Sequence, residues 1–224
     1  MIINNTFFKG EFYIPHAKPN VSDNVTEVSG NIIDFINDYS RECLFKSLGS
    51  LLFYEFKSVL DSNKQNGLKD GTDSKWNDLL NGKSYTDPIT SQNVVWRGIR
   101  WKSFDEGNYD RSIITPYVYF HYESNDYITR GDSGHFINNP KNAEVVTPSF
   151  KVAKAWNKFV EFVQGSSETT KAFISKYGLG VDYFTEGGSN VSLYKFINDS
   201  NLIAEDTYSN FTPRTWSNIN RFGI

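Results

Sequence analysis

The sequence predicts a mainly α protein: a small helical bundle with an extended N-terminal arm, long loops with room for a short β-hairpin, and an extended C-terminal tail. Three observations predict it. Apolar residues recur at spacings of three and four between Ser29 and Ser62, and again between Ser149 and Val163, which is the period of helices with one buried face. The stretch Phe7 to Ile14 (FFKGEFYI) is aromatic and ends at Pro15, as an edge strand or arm would. Asn210 to Ile224 is polar apart from Phe211, Trp216, Ile219, Phe222 and Ile224, a spacing that makes no helical face, so it reads as a tether with aromatic anchors. The chain divides accordingly into an arm and linker (1–28), a helical body with loop insertions (29–177) and a C-terminal extension (178–224).

Each element follows in order. Ser29 can cap a first helix whose stripe is Ile32, Ile33, Ile36, Tyr39, Cys43, Leu44 and Leu48. Gly49 breaks the period, and Leu51, Leu52, Phe56, Val59 and Leu60 resume it, which gives a hairpin or kinked pair of helices ending near Ser62. Lys75 to Leu80 forms a short helix closed by Asn81-Gly82. The run VVWRGIRW within residues 83–109 is open between a strand pair and an irregular loop. Ile113, Ile114, Tyr117, Val118 and His121 share a helical face, with Pro116 either kinking the helix or sitting in its first turn. Residues 123–148 read as a long polar loop. Ser149 opens the clearest helix, with the stripe Val152, Ala153, Trp156, Phe159, Val160 and Val163. Residues 164–190 are mixed and glycine-rich, and a last short helix covers Leu193 to Ile197.

Composition excludes several functions. With 224 residues, a net charge of -3 and no basic stripe, the chain is a poor direct ligand for nucleic acid. No apolar run reaches the ~20 residues that span a bilayer, and the N-terminus lacks the basic-then-apolar order of a signal peptide. Cys43 is the lone cysteine, which removes any disulfide framework or cysteine-rich zinc site and fits synthesis in a reducing cytoplasm. Aromatic residues make up 16% of the chain, more than a core of this size is expected to absorb, so part of that excess reads as contact surface.

The candidate chemistry is thin. Gly131-Asp132-Ser133-Gly134 matches the stretch around a protease nucleophile, but His135 follows it and no activating histidine sits in a matching context. The three histidines, His16, His121 and His135, lack the spacing of metal ligands, and His121 reads as a hydrogen-bonded core residue. A hydrolase would therefore have to combine His121 or His135 with Asp132 or Ser133. A carbohydrate-binding module, the other alternative, would use exposed rings on an all-β fold. Neither displaces the expectation of a non-enzyme with no catalytic residue, metal or cofactor. The candidate interface residues are Phe7, Phe8, Phe12 and Tyr13 in the arm, Trp96 and Trp101 beside Arg97 and Arg100, and Trp216 and Phe222 in the tail.

The segments FFKGEFYIP, NIIDFINDYSRECLFKSLGSLLFYEF, KWNDLLNGKSY, PYVYFHYES, KVAKAWNKFVEFV and the closing NINRFGI together resemble small neck proteins of tailed Bacteroides phages, including the crAss-like phages. The likeness is one of pattern over most of the chain, and the polar segment Gln164 to Gly188 departs from it. The resemblance implies a virion protein of the head–tail junction: an adaptor that docks below the portal, meets adjacent neck or tail proteins, and continues the channel through which genomic DNA passes without specific binding. It also implies a homo-oligomeric ring of about twelve copies, which requires each subunit to present two different, mutually complementary surfaces.

Overall fold

The computed structural model describes residues 2–14, 26–64, 67–102, 110–126, 128–131, 134–137, 149–165, 181–182 and 190–219. Its helices are α1 (Thr26–Leu48), α2 (Ser50–Val59), α3 (Ser74–Asn81), α4 (Ile114–Asp126), α5 (Ser149–Gln164) and α6 (Leu193–Ile203). The strands are short: β1 (Lys83–Thr86), β2 (Asn93–Trp96), β3 (Arg100–Lys102), β4 (Asp110–Ser112), β5 (Ile128–Gly131), β6 (Gly134–Ile137), β7 (Val181–Asp182) and β8 (Asn190–Val191). The fold is mainly α, and an all-β carbohydrate-binding architecture is ruled out by it.

Ser112 starts the helix at the centre. Its hydroxyl donates to the Ile99 carbonyl at 2.7 Å and accepts the Ile114 N–H at 3.1 Å. Pro116 sits in the first turn of α4, where its missing N–H costs no helical bond. Ile114, Tyr117, Val118, Tyr119 and Tyr122 are all buried, so α4 is apolar on several sides and is enclosed by α1, α5 and the N-terminal segment.

Gly49 separates α1 from α2 with φ 84°, and a Cβ there would lie 2.1 Å from Thr212 Oγ1. The break resets the phase of the second helix. Leu52, Phe53 and Phe56 turn inward and Leu51 turns out, contrary to the continuous stripe expected from the sequence. The first helix also begins at Thr26, three residues before the expected cap Ser29, and the second ends at Val59. α6 runs six residues past Ile197, capped by Ser192, whose side chain accepts the Lys195 N–H at 3.3 Å.

The run VVWRGIRW is strand β2, a glycine crossing and strand β3. β1 and β2 form an antiparallel hairpin, Lys83 opposite Trp96 and Thr86 opposite Asn93. β8 joins β2 in parallel at Val95 and Asn190, and β7 extends the same sheet. β3 pairs with β4, and β5 with β6, each antiparallel.

Both termini pack on the helical body. The N-terminal segment is no edge strand: it forms two 3₁₀ turns, Asn5–Phe7 and Gly10–Phe12, the first capped by Asn4, whose side chain accepts the Thr6 N–H at 2.9 Å. Ile3, Phe7, Phe8, Phe12 and Ile14 are buried in the core they share with α1, α4 and α6. The tail is extended and held by aromatic anchors, as expected, but it docks on its own chain. Thr212 and Arg214 donate their N–H groups to the carbonyls of Leu48 and Lys46, in the last turn of α1. One cluster of buried residues thus runs from Ile3 to Trp216, across the divisions at 28 and 177 expected from the sequence.

Candidate functional site

The expected interface rings are mostly spent inside the chain. Phe7, Phe8, Phe12, Trp96 and Trp216 are buried. Trp101 is half-buried edge-on against Phe162 at 5.4 Å, and Phe222 lies outside the described residues. Tyr13 remains exposed. The physical reason is the number of partners each ring finds at home. Trp96 donates its indole N–H to the Leu79 carbonyl at 3.1 Å and stacks on Phe196 at 5.4 Å. Arg97 and Arg100, expected to flank an open contact, donate to the side chains of Asn190 and Asn81. Gly82 and Gly98 let these segments cross: a Cβ on either would lie 2.6 Å from a backbone carbonyl oxygen of the other segment.

Three features of the surface and interior stand out instead. The first is an exposed apolar face at the α1–α2 elbow. Phe45, Leu51 and Tyr54 are 39%, 59% and 52% exposed, and Phe45, Phe53 and Tyr54 meet edge to face at 5.4–6.3 Å. Leu202 and Ile203 at the end of α6 are a second exposed pair. Large apolar side chains grouped on a surface are what subunit contacts use.

The second is a cleft of about 660 Å³ between α1, α4, α5 and the tail, walled by Tyr117, Phe120, Trp156 and Trp216 with Glu42 and Lys46 at its polar edge. His121 lines it. The imidazole lies flat on Tyr39 at 4.0 Å and edge-on to Tyr117 at 4.7 Å. Burial pushes its pKa down to about 4, with Glu42 opposing and Lys46 assisting. Its Nε2 has no hydrogen-bond partner among the described residues, so stacking holds the ring, not the hydrogen bond expected from the sequence. Of its proposed partners, Asp132 and Ser133 lie outside the described residues, and His135 is placed by its backbone in β6. No group of three metal-binding side chains occurs among the described residues, and no described helix is long and apolar enough to cross a membrane.

No protein-family model, curated protein or solved structure matches this chain.

The third feature is a buried charged cluster that sequence reasoning missed. Lys195 on α6 is 1% exposed, and Asp87, just past β1, and Asp199 are 1% and 2% exposed. The lysine Nζ lies 2.7 Å from both carboxylate oxygens of Asp199 and 2.8 Å from Asp87 Oδ2. Tyr85 donates its hydroxyl to Asp199 Oδ2 at 2.7 Å. Asp87 Oδ1 accepts the N–H groups of Ile89 and Thr90 at 2.8 and 3.0 Å. Burial alone would raise both carboxyls. Lys195 and the two amides overcome it at Asp87 and hold its pKa low, whereas at Asp199 burial wins and the pKa is raised. The signal in the sequence was Lys195 and Asp199 one turn apart inside an otherwise apolar helix face, LYKFIND.

Proposed function

We propose that this chain is a structural subunit of a phage virion, a head–tail connector that assembles into a ring below the portal and carries the DNA channel toward the tail. The observation that carries the proposal is the exposed Phe45–Leu51–Tyr54 face on a body that buries Phe7, Phe8, Phe12, Trp96 and Trp216. A ring subunit needs at least one such surface to meet a different surface of its neighbour. The resemblance to neck proteins of Bacteroides phages supplies the place, and the mainly α fold suits an adaptor of that kind. The sites that serve assembly are thus the elbow and Tyr13, while Phe7, Phe8, Phe12 and Trp216 serve the core of their own chain. A hydrolase centred on His121 draws no support from its aromatic surroundings.

The test is the solution mass of the purified full-length protein by light scattering, alone and with the portal protein of the same phage. A large symmetric oligomer or a stable portal complex is expected. Leu51→Glu with Tyr54→Glu should reduce the assembly to monomers while the melting temperature holds, because both side chains are already exposed. A wild-type protein that stays monomeric and ignores the portal would overturn the reading.

A further inference from the structure

The buried cluster around Lys195 has the parts of a condensation site. An amine, a carboxyl group that it touches, two amide donors on that carboxyl's far oxygen and a second carboxyl against the amine are all held in a dry interior. We propose that Lys195 and Asp87 join in an intramolecular isopeptide bond, with Asp199 relaying a proton. The proposal rests on this geometry alone and stands or falls separately from the connector reading.

The chemistry balances without any outside reagent. The Lys195 ammonium gives a proton to Asp87 Oδ2, 2.8 Å away, leaving a neutral amine against a neutral acid. Nζ attacks Asp87 Cγ and negative charge gathers on Oδ1, where the Ile89 and Thr90 N–H groups sit at 2.8 and 3.0 Å, the spacing of donors that stabilise an oxyanion. A second proton travels from nitrogen through Asp199 to Oδ2. The Cγ–Oδ2 bond breaks and one water leaves, so ammonium plus carboxylate become amide plus water. Asp199 ends as it began.

Three features favour the step. Lys195 Nζ and Asp87 Oδ2 are 2.8 Å apart and both side chains are buried, so the amine and the carboxyl are already in contact away from water. Fixing both groups on rigid elements replaces a bimolecular encounter, an advantage worth effective molarities of about 10⁵ M or more in well-oriented cases. The product also removes the Lys195–Asp87 charge pair from the interior, where an ion pair is costly to desolvate; Oδ1 keeps its two amides, the one remaining N–H keeps one of its two bonds to Asp199, and Tyr85 still donates to that carboxyl. Tyr85 fixes Asp199 from the other side. The bond would tie the β1–β2 hairpin to α6 covalently, a reinforcement useful in a particle under mechanical load.

Intact-mass spectrometry of the full-length, fully denatured protein decides the matter. The expected mass is one water below that of the sequence, and digestion should release a branched peptide joining residue 87 to residue 195. Asp199→Asn should remain at full mass while keeping its helical circular dichroism. Asp87→Asn should give the same branched product by losing ammonia in place of water. A wild-type protein at full sequence mass after prolonged incubation overturns the proposal and leaves an ion pair. So does a loss of water that maps to a succinimide elsewhere in the chain. The wild-type measurement decides even where a variant fails to fold.

Discussion

Asn157 and Ile219 hold each other in both directions: the Asn157 amide donates to the Ile219 carbonyl at 2.8 Å, and its side-chain oxygen accepts the Ile219 N–H at 2.8 Å. Gln164 makes the same double bond with Trp216. The registers match for a geometric reason. Seven helical residues from 157 to 164 rise about 10 Å, and three extended residues from 216 to 219 span about 10 Å. The tail therefore runs antiparallel along α5 with a side-chain amide at each anchor. Asn157→Ala removes two hydrogen bonds, and the expected loss is about 1–3 kcal/mol of stability, read from urea denaturation. Limited proteolysis should cut near Ser217 faster in the variant than in the wild type.

Gly49 answers two demands at once, a left-handed φ of 84° and the passage of Thr212 across the helix break. Gly49→Ala would place a methyl group 2.1 Å from Thr212 Oγ1 and 2.6 Å from its carbonyl oxygen. Backbone strain of this kind costs about 1–3 kcal/mol, and the displaced tail adds to it. Denaturation should show the loss. Combining the substitution with Asn157→Ala should cost less than the sum of the two, because a tail already loosened has less to lose.

Helical period and glycine breaks made the body legible: Gly49, Gly82 and the stripe of α5 stand where the pattern put them. The ends were misread because sequence shows that a ring is present and not what it touches. Phe7, Phe12 and Trp216 lack a helical or alternating period, and a residue without period offers no clue to which side of the chain it faces. Trp216 is fixed by Tyr194, Gln164 and Phe159, all distant in sequence. Leu51 failed for the opposite reason. It fits a period that the positive φ at Gly49 interrupts, and only the backbone geometry shows the change of phase. The Lys195 cluster depended on Asp87, more than a hundred residues away.

His121 sets a pH dependence of folding. Its pKa falls from the ordinary 6.5 to about 4 because the ring is buried against Tyr39 and Tyr117 and loses hydration as a cation; Lys46 adds to the effect and Glu42 opposes it. A pKa lower in the folded state means the unfolded chain binds more protons between about pH 4 and 6.5, so stability rises with pH across that window. The His121 contribution is fully present above pH 6.5 and is lost as pH falls toward 4. His121→Phe keeps the stack on Tyr39 and should flatten the slope of the denaturation midpoint against pH in this window. An unchanged slope would show that the imidazole titrates as freely in the folded protein as in the unfolded chain.

Cys43 offers a reporter for opening of the core. It is fully buried on α1, and burial pushes its thiol pKa far up, so the reactive thiolate is suppressed. A thiol reagent should label the native protein only as fast as the core opens, and full labelling should follow denaturation. Prompt labelling under native conditions would mean that α1 separates from α4 readily.

Trp216 decides what the tail contributes. Its ring fills the space between Tyr117, Trp156 and Phe159 at 4.9–6.0 Å, and its indole N–H donates to the Tyr194 hydroxyl at 3.0 Å. The same hydroxyl donates to the Arg214 carbonyl at 2.6 Å, so removing the tail strips Tyr194 of both partners. Truncating a buried tryptophan to alanine costs about 3–5 kcal/mol, a large share of the roughly 5–15 kcal/mol that holds a domain together. Deleting Asn210–Ile224 should therefore destabilise the helical body by at least that amount, seen as a lower denaturant midpoint, and should not act on assembly alone. Trp216→Phe, which keeps a ring but loses the donor, should fall between wild type and Trp216→Ala. A truncated chain that unfolds at the wild-type midpoint would mean that the docked tail adds nothing to the core, and its anchors would have to be sought in another subunit.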